Sequence, residues 1–118
     1  MKLTKSEKQI ESLILNWLNF QLGCFAFKVT STGIYDPIKK YFRYNPNKGI
    51  ADIVCSYYGY FVAFEVKKNE KEKLSPDQET FVYSVKNKGR GKAYKVWSLD
   101  QVQKIIGAID NEQRKKVT

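Results

Sequence analysis

Two strand-like runs, residues 50–57 and 60–67, are separated only by Tyr58 and Gly59, and this spacing constrains the fold more than any other feature. A two-residue gap containing glycine selects a tight hairpin turn, and the turn then sets the register of both strands. With Tyr57 opposite Tyr60, Cys55 faces Val62 and Asp52 faces Glu65. Strand alternation sends Ile53, Cys55, Tyr57, Val62, Phe64 and Val66 to one face, which forms a coherent core surface. Asp52, Glu65 and Lys67 share the opposite face at the end far from the turn. Directly opposed residues there hold their Cβ atoms about 4.5–5.5 Å apart.

Helices bracket this hairpin. Thr4-Lys5-Ser6-Glu7 matches a capping box, and Ile10, Leu13, Ile14, Trp17 and Leu18 follow at helical spacing. The pattern predicts a helix over 5–21 that stops near Gly23, then a strand over 24–30. Residues 31–49 carry Gly33, Pro37, Asn45, Pro46 and Asn47 among Lys39, Lys40, Arg43 and Lys48. They read as a long basic loop with a short added strand around 40–44, and loops of this length are more often functional or mobile than idle. Ser75 suits an N-cap, Pro76 the first helical position and Gln78 the capping-box position of a second helix. Phe81, Val82 and Val85 form its apolar side, and Gly89 and Gly91 end it. A fourth strand over 93–97 precedes a capping box at Ser98-Leu99-Asp100-Gln101, which opens a helix with Val102, Ile105, Ile106 and Ile109 inward. Arg114-Lys115-Lys116 reads as a frayed basic end. The order α-β-β-β-α-β-α predicts an α/β fold, a mixed sheet with helices on both faces, as one domain over 1–118 with its core at about 5–112.

The chain has 118 residues and no histidine, which removes Ser-His-Asp and Cys-His nucleophiles, imidazole zinc sites and histidine general bases. Any catalysis has to use carboxylates, lysine and a hard metal ion. There are 21 Lys plus Arg against 12 Asp plus Glu, a formal charge of +9, which implies a polyanionic partner. Many small basic proteins have no such partner, so charge alone leaves the question open. Cys24 and Cys55 form no paired motif and read as reduced thiols. Neither a leader pattern nor an apolar run of membrane length is visible, so the expected location is cytoplasmic.

Two facing carboxylates repel, and a divalent cation is the simplest reason to oppose them. Mg2+ takes one or two carboxylates and keeps other positions for water and phosphate oxygens. The competing reading is a surface charge cluster in which Lys67 only pairs with a carboxylate. Context favours the metal. Gly49-Ile50-Ala51-Asp52, then Glu65-Val66-Lys67, then Leu74-Ser75-Pro76-Asp77-Gln78 resemble, in order, the motifs of the virus-type replication-repair nuclease (VRR-NUC) branch of the PD-(D/E)xK superfamily. The resemblance covers about residues 7–106, and Ala51 departs from it, standing where that family usually has proline.

The resemblance implies a restriction-endonuclease-like αβββαβ core followed by a C-terminal helix. It implies a Mg2+- or Mn2+-dependent endodeoxyribonuclease, with Asp52, Glu65, Glu11 and the backbone carbonyl of Ile53 as metal ligands. Lys67 would position water, and Gln78 would lie beside the site or serve only as a capping residue. Glu11 is preferred over Glu7, because Glu7 is already explained as the capping partner of Thr4. Ser31 and Thr32 resemble hydroxyl residues that related Holliday junction resolvases hold near phosphate. Lys39, Lys40, Arg43 and Lys48 are the expected DNA contacts, with Tyr41, Phe42 and Tyr44 stacking on bases or packing the loop. Lys86, Lys88, Arg90 and Lys92 read as solvated surface. The implied substrate is branched DNA such as a four-way junction, cut by a homodimer. Tyr57, Tyr58 and Tyr60 are a candidate exposed dimer surface. Flap or nick processing, and a DNA-binding module without catalysis, are the alternatives.

Overall fold

Each helix starts where a side chain satisfies its first backbone N–H groups. Ser6 caps α1 (Glu7–Phe20) and Ser75 caps α2 (Pro76–Asn87), each reciprocally with a glutamine three residues on, Gln9 and Gln78. The same device joins Ser98 and Gln101 at α3 (Leu99–Val117). The cap of α1 therefore lies two residues beyond the Thr4–Glu7 box expected from the sequence. Ser6-x-x-Gln9 satisfies the Ser6 and Gln9 N–H groups, and Glu7 stands in the first turn, while Thr4 lies outside the described residues. The computed structural model describes residues 5–29, 34–38, 41–43 and 49–117, with 34–36, 41–43 and 114–117 described by backbone alone.

Six strands complete the described residues: β1 (Cys24–Lys28), β2 (Ile34–Asp36), β3 (Tyr41–Arg43), β4 (Ile53–Tyr57), β5 (Tyr60–Val66) and β6 (Lys92–Val96). The main sheet has the order β1-β4-β5-β6, antiparallel except for the parallel β5–β6 pair reached through α2. This is the expected mixed sheet and element order. The loop after β1 differs from expectation, since the short strand at Tyr41–Arg43 pairs with Ile34–Asp36 in a separate two-stranded sheet. The C-terminal tail differs too. Helix α3 runs on to Val117, because no glycine or proline interrupts its last two turns.

The hairpin register is the one the turn dictates, Tyr57 with Tyr60, Cys55 with Val62 and Ile53 with Phe64. Tyr58 and Gly59 both have positive φ, 46° and 88°, the pattern of a turn whose twist matches that of the strands. Ile53, Cys55, Tyr57, Val62, Phe64 and Val66 are all buried and meet Ile10, Ile14 and Leu18 of α1 and Val102, Ile106 and Ile109 of α3. On the other face Val54, Ala63 and Ala93 meet Phe81, Val82 and Val85 of α2. Burying a side chain such as Phe64, Ile14 or Leu18 stabilises the fold by about 1.5–3 kcal/mol. Tyr57 cannot serve in an exposed interface. It is buried and donates its hydroxyl to Asp110 Oδ1 at 3.2 Å, leaving only Tyr58 half exposed in that trio.

Candidate metal centre

The chemistry-bearing residues gather where β4 begins and β5 ends. Asp52 lies one residue before β4, at a bend, so the ladder stops at Ile53–Phe64 and does not continue to a strand pair Asp52–Glu65. The reason is local. Asp52 Oδ2 accepts the Val66 N–H at 2.8 Å, and the Asp52 carbonyl accepts the Val29 N–H at 2.7 Å. The side chain thus closes one flank of the strand end and the backbone closes the other. Its carboxylate is fixed in direction with one oxygen free of that bond. Gly49 makes the approach possible. Its φ is +76°, and a Cβ there would overlap the Asp77 carbonyl at the start of α2.

Glu65 is 3% exposed and hydrogen-bonds to Asp52. Burial, that bond and the neighbouring Asp52 charge push its carboxyl up to about 9, while Lys67 pulls the other way. Glu65 therefore holds its proton at neutral pH in the metal-free protein.

Gln78 joins the two halves of the site. Its Oε1 accepts from the Ser75 N–H at 2.8 Å and from Lys67 Nζ at 3.1 Å, while its Nε2 donates to Glu65 Oε1 at 2.7 Å. The capping and site positions, alternatives at the level of sequence, are compatible because an amide has two ends. The cap takes the carbonyl end and thereby aims the NH2 end at Glu65.

Helix α1 supplies two carboxylates. Glu7, Glu11 and Asp52 each place one oxygen within 4.8 Å of the others. Glu65 is not in that trio, whereas Glu7, set aside in the sequence as a capping residue, is. Burial together with the Asp52 and Glu11 charges raises the Glu7 carboxyl above its ordinary range. Glu11 is 7% exposed and its Oε2 has no hydrogen-bond partner. Lys28 Nζ stands 3.1 Å from that oxygen as an ion pair, in a geometry that does not make a hydrogen bond. Beyond that ion pair the buried oxygen accepts no hydrogen bond, so it keeps capacity for a further cation. The donor set is all oxygen, the kind that suits Mg2+ or Mn2+. The residues present therefore fit such an ion.

Lys28 was not singled out in the sequence. Its only signal is a cation ending an apolar strand, and its relevance depends on the β1–β4 register that pairs it with Ile53. Ile53 itself is a fully buried core residue. Ser31, Thr32, Lys39, Lys40 and Lys48 lie outside the described residues, and so does Tyr44, while Arg43 ends β3 and is described by backbone only. In the second basic cluster Lys92 pairs with Glu112 at 3.1 Å, and Lys86 lies over the Tyr94 ring at 6.0 Å. Both are structural contacts.

No family model matches the chain. No curated protein matches it either. Among solved structures it is similar to one described as a VRR_NUC domain, with 22% identity and a TM-score of 0.64, over 86% of this chain and 94% of that one. A second, a VRR_NUC domain protein, has 18% identity and a TM-score of 0.56, over 89% of this chain and 88% of that one. At this identity the likeness is one of architecture, and the fold of this chain is the VRR_NUC fold that its three sequence motifs anticipated.

Proposed function

We propose that the chain is a metal-dependent endonuclease acting on DNA. The observation that carries this reading is the convergence of Glu7, Glu11 and Asp52, with a buried Glu11 oxygen that accepts no hydrogen bond, beside Glu65, Lys67 and Gln78. Asp52 and Glu65, with Glu11 and now Glu7 from α1, hold the Mg2+ or Mn2+ ion, and the Ile53 carbonyl is a further donor. A bound ion of this kind lowers the pKa of water and offsets charge on the scissile phosphate. Lys67, anchored by Gln78, holds the attacking water and faces the negative charge that develops on the phosphate. Gln78 fixes Lys67 and Glu65 relative to each other, which preserves their alignment as charge moves.

Branched DNA, in particular a four-way junction, is the proposed substrate. The chain's excess of cations and its basic segment 31–49 support phosphate binding. The described residues provide one such centre, so paired nicks require two chains, and we propose a homodimer. The test is a panel of labelled single-stranded, duplex, flap, splayed-arm and four-way-junction DNA incubated with Mn2+ or Mg2+, with cuts mapped on each strand. Symmetric paired cuts at the junction are expected. A single cut beside a flap would move the substrate to flap processing. Absence of cleavage on every branched DNA would leave a DNA-binding module.

A further inference from the structure

Lys28 ends β1 beside the bend that carries Asp52, with Ile53 as its Cα partner and the Val29–Asp52 backbone bond immediately after it. Alternation from the buried Ala26 puts the Lys28 side chain on the α1 face of the sheet, where its ammonium stands 3.1 Å from Glu11 Oε2. The pair is lopsided. The Glu11 side chain is 9% exposed and the Lys28 side chain 51%. A buried carboxylate among two others needs positive charge near it, and the half-exposed lysine supplies that charge on a flexible stem.

We propose that Lys28 is a stand-in cation, which neutralises Glu11 in the metal-free protein and swings out to solvent when a divalent ion takes the oxygens of Glu7, Glu11 and Asp52. The proposal rests on the metal-site reading above. Two cations on the same small carboxylate cluster repel each other, so ion entry and the Lys28–Glu11 contact oppose one another. The lysine can leave at low cost, because its side chain is half exposed and such an ion pair is weak. The contact then keeps the carboxylates collected and their repulsion damped until the ion arrives. Lys28 is a positioning residue acting through Glu11.

Titration calorimetry with Mn2+ alone tests this on the wild type, Lys28→Met, Lys28→Gln, Lys28→Arg and Asp52→Asn. Thermal unfolding is followed on the same proteins with chelator and with Mn2+. Removing the competing charge should tighten Mn2+ binding about two- to tenfold in Lys28→Met and Lys28→Gln, the range expected for a weak ion pair. Both variants should melt lower than wild type in chelator and gain more from Mn2+. Lys28→Arg, which keeps the charge, should bind like wild type. Unchanged or weaker Mn2+ binding in both neutral variants, with wild type binding and Asp52→Asn not, would overturn the stand-in role alone. If wild type binds no Mn2+, or Asp52→Asn binds as tightly as wild type, the metal-site reading fails and this inference with it.

Discussion

Glu65→Gln should stabilise the metal-free protein at neutral pH while abolishing its cleavage. Because the Glu65 carboxyl is raised in the folded state, from an ordinary 4.5 to about 9, the folded chain keeps a proton that the unfolded chain releases. The stability linked to that proton is fully present below about pH 4.5 and is lost as pH rises toward 9. Within that window the slope is at most about 1.4 kcal/mol per pH unit, so wild type should lose roughly 2–3 kcal/mol between pH 5.5 and 7.5 through this group. Glutamine is the neutral isostere of the protonated acid. It keeps an acceptor for Gln78 Nε2 and offers an N–H to Asp52, and it has nothing to titrate. Urea unfolding in chelator across pH 5–9 measures both proteins. Other groups titrate in each, and the difference between the two curves isolates Glu65. That difference should grow with pH, by about 2–3 kcal/mol between pH 5.5 and 7.5, with the variant the more stable at pH 7.5. Parallel curves, or a variant less stable than wild type at pH 7.5, would refute the buried-acid reasoning. Metal binding carries the opposite sign. As a proposed ligand Glu65 would have to give up its proton, so Mn2+ affinity of the wild type should rise with pH across this range.

Three further outcomes follow from individual contacts. Asp52→Asn retains an oxygen for the Val66 N–H, so unfolding should change by no more than about 1 kcal/mol while Mn2+ binding and cleavage are lost. Gln78→Ala removes a helix cap and two site contacts together; urea unfolding should show a loss of about 1–2 kcal/mol, and single-turnover cleavage should fall at least tenfold with binding of junction DNA retained. Gly49→Ala meets both a positive φ and the Asp77 carbonyl, and should cost about 2–4 kcal/mol by urea unfolding, with cleavage lost through displacement of Asp52.

The sequence by itself determined the hairpin, its register, the caps of α2 and α3 and the mixed sheet. These depend on contacts close along the chain: a two-residue turn, period-two alternation, and serine–glutamine pairs three residues apart. It also brought Asp52, Glu65 and Lys67 to the same end of the hairpin, though Asp52 stands at a bend and not in the strand pair with Glu65 that the register implied. It did not determine how many carboxylates meet there. Glu7 looked accounted for because Thr4-Lys5-Ser6-Glu7 and Ser6-x-x-Gln9 are equally good capping patterns on paper, and only the packed helix chose the second. Lys28 became relevant solely through its pairing with Ile53 across β1 and β4. The double use of Gln78 needed the distance between α2 and β5, which the close approach at Gly49 sets. The protonated state of Glu65 was equally illegible, because burial and the field of Asp52 raise its pKa and neither exists until the chain is folded. Short-range chemistry is written in the residue order. The charge state and membership of the candidate metal site come from long-range packing, which brings α1, β1 and α2 to the same strand end.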